Sequence, residues 1–334
     1  MKNVSKKSLI MGGVLLLTGL CFLSTYLYTK IGSPAGDGKR KITYEIRKGV
    51  GSYRVARELA REKIISDPKT FRLYLRLTGR AGKLKAGLYD LHDGMTPSKI
   101  ASVLTEGRVR MLSLTFPEGW NRKQIGDYLV KKKLVRSRRE FLDITEDPRV
   151  LKKYSIPGES TEGYLFPDTY AVPYGFSARR LQNIMIERFF AQLKKIKNPT
   201  SMPPGDLYQR VILASIVERE AVRAEERPMM AQVFLNRLDK GMRLESCATI
   251  QFLLKKPRFR LYNRDLKIKS PYNTYIHRGL PPGPISSPGL AAIKAAFNPR
   301  KGPYLFFVLK PDSSHHFSVS YSEHLAAKKK FLGR

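Results

Sequence analysis

Apolar residues recur along this chain with more than one period, and the places where the period changes mark its elements. From Leu9 to Tyr28 there is no period: about twenty residues carry no charge, with Lys2, Lys6 and Lys7 ahead of them and Lys30 behind. A helix of that length, rising about 1.5 Å per residue, crosses a bilayer core. The stretch 8–28 therefore reads as a retained transmembrane anchor, since a cleaved signal would have a shorter apolar core and a small-residue cleavage site behind it. The lysines ahead of the span put residues 1–7 in the cytoplasm and the rest outside. Residues 29–40, which contain GSPAGDG, form a flexible linker by composition.

After the linker the pattern repeats at an offset of seventy positions. Gly49, Val55, Leu59, Ile64, Ile65 and Phe71 return as Gly119, Ile125, Leu129, Leu134, Val135 and Phe141. In each copy a strand-like run, ITYEI or LSLTF, reaches a glycine turn and then a helix with apolar residues four apart. Gly94, Ile100 and Leu104 give a third, shorter version. Such βα modules, with a helix pair on a short sheet, resemble the LysM-like carbohydrate-binding units, and residues 41–110 are expected to form one.

From Gly158 the chain changes character. Glu162 and Asp168 stand among Tyr164, Phe166, Tyr170 and Tyr174, the mixture of rings and carboxylates that can line a sugar site or, equally, pack an aromatic core around a capped turn. Residues 176–196 read as an amphipathic helix and 198–205 as a Pro/Gly loop. The stretch Leu213–Ala224, LASIVEREAVRA, then sets two glutamates inside an apolar helical run. Val211, Ala214, Ser215, Glu218, Ala221 and Val222 share one face, while Leu213, Ile216, Val217, Glu220 and Ala224 lie roughly opposite. A helix apolar on both sides is expected to be buried on both, so at least one glutamate faces a low-dielectric niche where its proton is held toward neutral pH. Ion pairing to Arg219 or Arg223 is the structural alternative, and helical geometry leaves Glu218 and Glu220 equal. Beyond it, 231–241 reads as a helix with a glycine stop, 242–254 as a turn and helix, 271–289 as a long irregular loop, and 304–309 and 316–319 as closing strands.

Charge enlarges this picture. The formal net charge is +34, with 62 Lys and Arg against 28 Asp and Glu, which suits an anionic partner such as a membrane surface, an acidic polymer or nucleic acid. No recognition helix, zinc-finger spacing or RNA-binding aromatic signature accompanies it, so nucleic acid is not expected as a partner. The two cysteines, Cys21 and Cys247, are poorly placed for a disulfide, and the five histidines form no ligand pattern; no metal and no cofactor is expected.

Several motifs fix a resemblance. EGYLFPDTY (162–170), LASIVERE (213–220), VFLNRL (233–238), YNTY (272–275), GLPPG (279–283), PYLFFV (303–308) and HFSVSYSEH (316–324) together, in this order, resemble the endolytic murein transglycosylases of the YceG-like family. The resemblance covers nearly the whole chain after the linker. It implies an α+β fold with a single N-terminal transmembrane helix, the LysM-like unit at 41–110 and a mixed α/β catalytic domain at 111–334. The chain departs from many members at Ser246, Cys247, Ala248 and Thr249, where they carry an Asp-Pro-Thr turn, and it has Tyr and Phe where Trp-rich versions of EGYLFPDTY occur.

The resemblance also implies the chemistry. It places the catalytic acid at Glu218 and the reaction at the β-1,4 bond between N-acetylmuramic acid and N-acetylglucosamine inside nascent glycan strands, forming 1,6-anhydro ends and terminating elongation. Glu162, Asp168, Tyr272, Asn273, Thr274 and Tyr275 are the expected substrate-binding residues. Peptidoglycan strands, membrane lipid around the N-terminal helix and the glycan-polymerising synthases are the expected partners, with the body periplasmic or extracellular on the cytoplasmic membrane. Two other classes stay open: a muramidase, which needs a second carboxylate such as Asp168 or Glu162 facing Glu218, and a non-catalytic peptidoglycan-binding scaffold.

Overall fold

The computed structural model describes residues 6–196, 204–256, 258 and 260–333, so most of the tail expected at 1–7 and of the loop expected at 198–205 lies outside them. The fold is α+β, in two compact units: residues 1–113 with 171–175, and residues 114–170 with 176–334.

In the first unit, helix α1 (Lys6–Gly32) leads to β1 (Lys41–Ile46), α2 (Ser52–Arg61), α3 (Pro68–Leu77), β2 (Gly87–His92) and α4 (Pro97–Glu106). β1 and β2 pair antiparallel, from Lys41 opposite His92 to Ile46 opposite Gly87. Alternation turns Tyr44 and Ile46 inward from β1 and Tyr89 and Leu91 from β2. The helix pair answers with Val55, Leu59, Phe71 and Leu75, and each such side chain taken from water contributes roughly 1.5–3 kcal/mol. Asp67 starts α3 by accepting from the Lys69 amide at 2.9 Å, with Pro68 in the first turn where a missing N–H costs nothing. α1 packs against α3 and α4. Counting only the described residues, no helix is long and apolar enough to cross a membrane, and about half of the anchor expected over 8–28 falls on side chains outside that description.

Further along the chain the strand, turn and helix-pair order repeats. β3 (Met111–Thr115) pairs with β4 (Thr169–Pro173), and α5 (Arg122–Lys131) and α6 (Arg138–Thr145) stand where α2 and α3 stood in the first copy. The offset of seventy reaches the backbone. Gly49 and Gly119 both take positive φ, at 88° and 76°, and Lys63 and Lys133 both sit at 58°. Glycine takes such backbone most readily, because an L side chain crowds its own backbone at positive φ, a cost the two lysines bear. Ile125, Leu129, Val135 and Phe141 are buried like their counterparts.

The remainder is helical apart from one hairpin: α7 (Pro148–Lys153), α8 (Ala178–Leu193), α9 (Pro204–Glu220), α10 (Arg227–Asp239), α11 (Cys247–Leu253) and α12 (Leu290–Phe297), then β5 (Phe306–Leu309) paired antiparallel with β6 (His315–Ser318), and α13 (Tyr321–Leu332). α9 is packed by α10, α11 and α12, and every residue from Val211 to Val217 is buried, as its two-sided apolar pattern predicts. The helix ends at Glu220 and does not reach Ala224. A new helix begins at Arg227 with Pro228 in its first turn, and proline cannot carry the preceding helix through. Glu226, in the connection, is held by the His315 backbone amide at 2.8 Å and by its ring Nδ1 at 2.6 Å. The sequence pattern also gave no warning of α13, which is capped by Ser320 and Glu323 in a reciprocal box.

Candidate active site

The two acids that close α9 point to different surroundings. Glu220 accepts hydrogen bonds from the Ser246 hydroxyl and, at 3.1 Å, from the Ala248 amide, so it caps the start of α11. Glu218 has only 5% of its side chain exposed. Its Oε2 accepts from the Gly289 amide at 2.9 Å, at the start of α12, and its Oε1 from the Arg227 guanidinium at 3.0 Å, at the start of α10. Burial pushes the Glu218 pKa up; the Gly289 amide and Arg227 pull against that shift, while the charge of Glu118 adds to it. Glu218 is therefore a carboxyl group that holds a proton to higher pH than an exposed glutamate.

The loops around Glu218 are tied to α9 by backbone and hydroxyl bonds. Gly119 donates to the Ser287 carbonyl at 2.9 Å, and the Ser287 amide donates to the Trp120 carbonyl at 2.7 Å. Ser215, one turn before Glu218, accepts from the Ile285 amide at 3.0 Å, and the Ser286 hydroxyl donates to the Ser215 carbonyl at 3.1 Å. These bonds draw residues 117–120 and 285–289 to the acid-bearing end of the helix. A Cβ on Gly119 would lie 3.7 Å from Glu218 Cγ, and one on Gly289 would fall inside the Glu118 carboxyl group. Glu118, Gly289 and Glu218 are thus neighbours.

The other expected site residues are placed as follows. Glu162 is 4% exposed, and both its oxygens accept from the Arg122 amide at the start of α5, at 3.3 and 3.1 Å; burial pushes its pKa up to about 7. Asp168 pairs with Arg188 of α8 at 2.8 Å. Asn273 is fully buried and saturated: its side-chain amide donates to the Leu266 and Ile268 carbonyls, and its oxygen accepts from the Tyr275 amide. Thr274 is buried between the Ser246 amide and the Thr249 hydroxyl. Tyr275 has its hydroxyl 3.0 Å from Cys247 Sγ. Tyr272 packs against Phe252 with ring centroids 5.0 Å apart, and its hydroxyl and that of Tyr208 flank the space a side chain on Gly283 would fill. Asn273 and Thr274 hold the loop; Tyr272 and Tyr275 keep a polar end that a ligand could use. Among the described residues no group of three or more His, Cys, Asp or Glu side chains could hold a metal.

The YceG-like family model matches residues 44–330. The chain belongs to the YceG-like family. Among its relatives, an endolytic murein transglycosylase of Bacillus subtilis is 30% identical over 316 residues, covering 89% of this chain and 86% of the relative. A protein of the same name from Streptococcus pneumoniae is 27% identical over 302 residues, 81% of this chain but 55% of the relative, so this chain spans about half its length. The crystal structure of a YceG-like protein from Listeria monocytogenes superposes with a TM-score of 0.59 at 30% identity, over 87% of this chain and all of that one.

Within this YceG-like chain, sequence reasoning did not single out Glu118, Arg227 or Gly289. The signal for Glu118 was present in the repeat, which marked the glycine turn at Gly119 without weighing the acid before it. Arg227 had no local signal: the arginines next to the acids in sequence were the natural partners, yet Arg219 reaches the Gly119 carbonyl and Arg223 the Asp312 carbonyl. Asn236 and Arg237 of the VFLNRL motif turn to the chain beyond α12. They hold the carbonyls of Gly302, Tyr304 and Leu305 at the entry to β5.

Proposed function

We propose that the chain is an endolytic lytic transglycosylase of peptidoglycan, with Glu218 as the single proton-transfer group. The observation that carries this reading is the buried Glu218 carboxyl, its hold on a proton strengthened by desolvation and its orientation fixed by the Gly289 amide and Arg227. In the reaction the Glu218 proton goes to the glycosidic oxygen as the bond from muramic C1 breaks, and the leaving glucosamine departs with its 4-hydroxyl restored. The C6 hydroxyl of the same muramic residue then attacks C1, and its proton returns to the Glu218 carboxylate. One bond to C1 is exchanged for another, no water is consumed, and the acid is regenerated. General acid and base roles typically contribute about a hundred- to ten-thousandfold each.

Around this centre, Tyr272 is the polar group of the 271–275 loop offered to sugar hydroxyls, and Tyr275 joins it by exchanging its contact with Cys247 Sγ for a sugar hydroxyl. The βααβ unit at 41–92 supports a LysM-like hold on glycan, and the apolar run 8–28 supports anchorage in the cytoplasmic membrane, with the body on the wall side near anionic lipid and the synthases that make new strands. Each basic residue near an anionic surface adds about 1 kcal/mol of attraction.

The test is mass spectrometry of uncrosslinked glycan strands incubated with the protein and with Glu218→Gln. Internal fragments with 1,6-anhydromuramic ends from the first alone are expected. Reducing ends would make water the nucleophile and the enzyme a muramidase; intact strands that co-sediment with both proteins would leave only a binding function.

A further inference from the structure

Glu118 is an exposed carboxylate with no hydrogen bond or ion pair among the described residues, and it faces another acid across one backbone unit. Such a placement is unfavourable whenever Glu218 is ionised, because like charges repel and the nearby cations are committed elsewhere. Arg227 is bonded to Glu218, and Arg219 to the Gly119 carbonyl. The position is nevertheless enforced from several sides. Gly119 needs its positive φ to turn the chain beside Glu218, and its amide is fastened to the Ser287 carbonyl. A Cβ at position 289 would occupy the present place of the Glu118 carboxyl, which would have to swing away. The Gly289 backbone has φ −75°, so its own conformation does not demand glycine; glycine there leaves room for Glu118 to lie beside Glu218.

Resting on the reading above, we propose that Glu118 is a second catalytic carboxylate, which faces the positive charge that develops at the muramic C1 while Glu218 donates its proton to the adjacent glycosidic oxygen. The two reacting atoms are one bond apart, and the two carboxylates are separated by the Gly289 backbone, so a sugar whose glycosidic oxygen rests on Glu218 brings C1 toward Glu118. The negative charge acts twice. It stabilises the oxocarbenium-like centre until the C6 hydroxyl arrives, and it keeps the proton on Glu218 before the bond breaks. Groups facing Glu218 from each neighbouring element are Arg227 from α10, the Gly289 amide from α12 and Glu118 from the loop after β3; removing Glu118 removes the one that opposes ionisation. Glu118 exchanges no proton and forms no bond, so the balance of the reaction is unchanged.

The experiment uses full-length protein in detergent with four versions: unaltered, Glu118→Gln, Glu118→Asp and Glu218→Gln. Because Glu118 has no partner to lose, Glu118→Gln should unfold at the same temperature or higher. Its kcat should fall by roughly tenfold to a hundredfold with KM within about twofold, the alkaline limb of its pH profile should move to lower pH, and Glu118→Asp should recover part of the rate. A parallel titration by 13C NMR of carboxyl-labelled glutamate, with Glu218→Gln identifying the signal, should show Glu218 ionising at lower pH in Glu118→Gln, a readout that needs no turnover. Unchanged kcat and an unchanged Glu218 titration would overturn the proposal, even if Glu218→Gln is dead and the acid assignment stands. Reducing ends from the unaltered protein that vanish in Glu118→Gln would also overturn it, by making Glu118 the base for water.

Discussion

Glu162 and Glu218 are both buried carboxyl groups with raised pKa, and their partners separate what each can do. Glu162 faces a helix start, accepts from one backbone amide and has Arg122 near it. Its pKa lies above the unfolded value, so the folded state binds the proton more tightly; stability falls as pH rises from about 4.5 to about 7 and is level beyond. The penalty at pH 8 is about 3 kcal/mol. Glu162→Gln keeps an acceptor for the Arg122 amide and removes the charge, so its unfolding temperature relative to the unaltered protein should be more favourable at pH 8 than at pH 5; calorimetry at the two values checks this. For Glu218 the telling substitution is Arg227→Met. Loss of the guanidinium leaves a buried carboxylate unpaired, which costs about 3–5 kcal/mol where Glu218 is ionised and less where it is protonated. Arg227 lowers the Glu218 pKa, so its removal should shift the alkaline limb of activity upward, opposite to Glu118→Gln. A shift in the same direction for both variants would contradict the arrangement of charges described.

At the scale of elements, the end of α9 is set by what is stitched to it. Ser215 holds the Ile285 amide. Ser215→Ala leaves that buried amide unsatisfied, costs about 1–3 kcal/mol, and should lower activity by loosening the loop that carries Gly289; chemical denaturation beside a kinetic assay separates the two effects. Gly289→Ala has no backbone conflict at φ −75° but must expel the Glu118 carboxyl, so a folded protein with reduced kcat is expected. These contacts explain what could be read from sequence. The two-sided burial of α9 followed from its apolar pattern, and the repeat followed from a constant offset of apolar positions, because both are local periodicities. Glu218 and Glu220 could not be told apart that way. Their difference lies in Ser246, Ala248, Arg227 and Gly289, which arrive from 9 to 71 positions away in sequence. Asn273 and Thr274 stood out in sequence through the YNTY motif of the family; in the fold their side chains are engaged by backbone groups, because a long irregular loop needs polar side chains to satisfy its own backbone.

At the scale of the whole molecule, the two units and the excess of positive charge address different tasks. The acid, its partners and the loops that present them all belong to the second unit. A version beginning at Ser33, after α1, should therefore cleave soluble glycan strands at a rate close to that of the full chain while no longer partitioning into detergent micelles. Its residual binding to anionic vesicles, driven by basic residues, should decline steeply as salt is raised, since exposed charges are screened beyond about 10 Å at 0.1 M. Vesicle flotation at two salt concentrations, beside the strand assay, measures both. The α+β class and the family motifs were legible over most of the chain. The apolar run 8–28 was legible only as composition, because a run without periodicity carries no information about what surrounds it.

The paired glycine turns carry a consequence for descent. A module duplicated with its turn intact inherits one strict requirement, the glycine, and leaves the residue before it free to change. That residue is Lys48 in one copy and Glu118 in the other. No group lies within 4 Å of where a side chain on Gly49 would begin, whereas the same place on Gly119 is hemmed in by Arg219 and Glu218. The first turn has kept an open, basic tip; the second has been captured beside an acid. Chains that keep both turns should accordingly vary freely at position 48, and accept a side chain at position 289 only where the residue at 118 leaves its place.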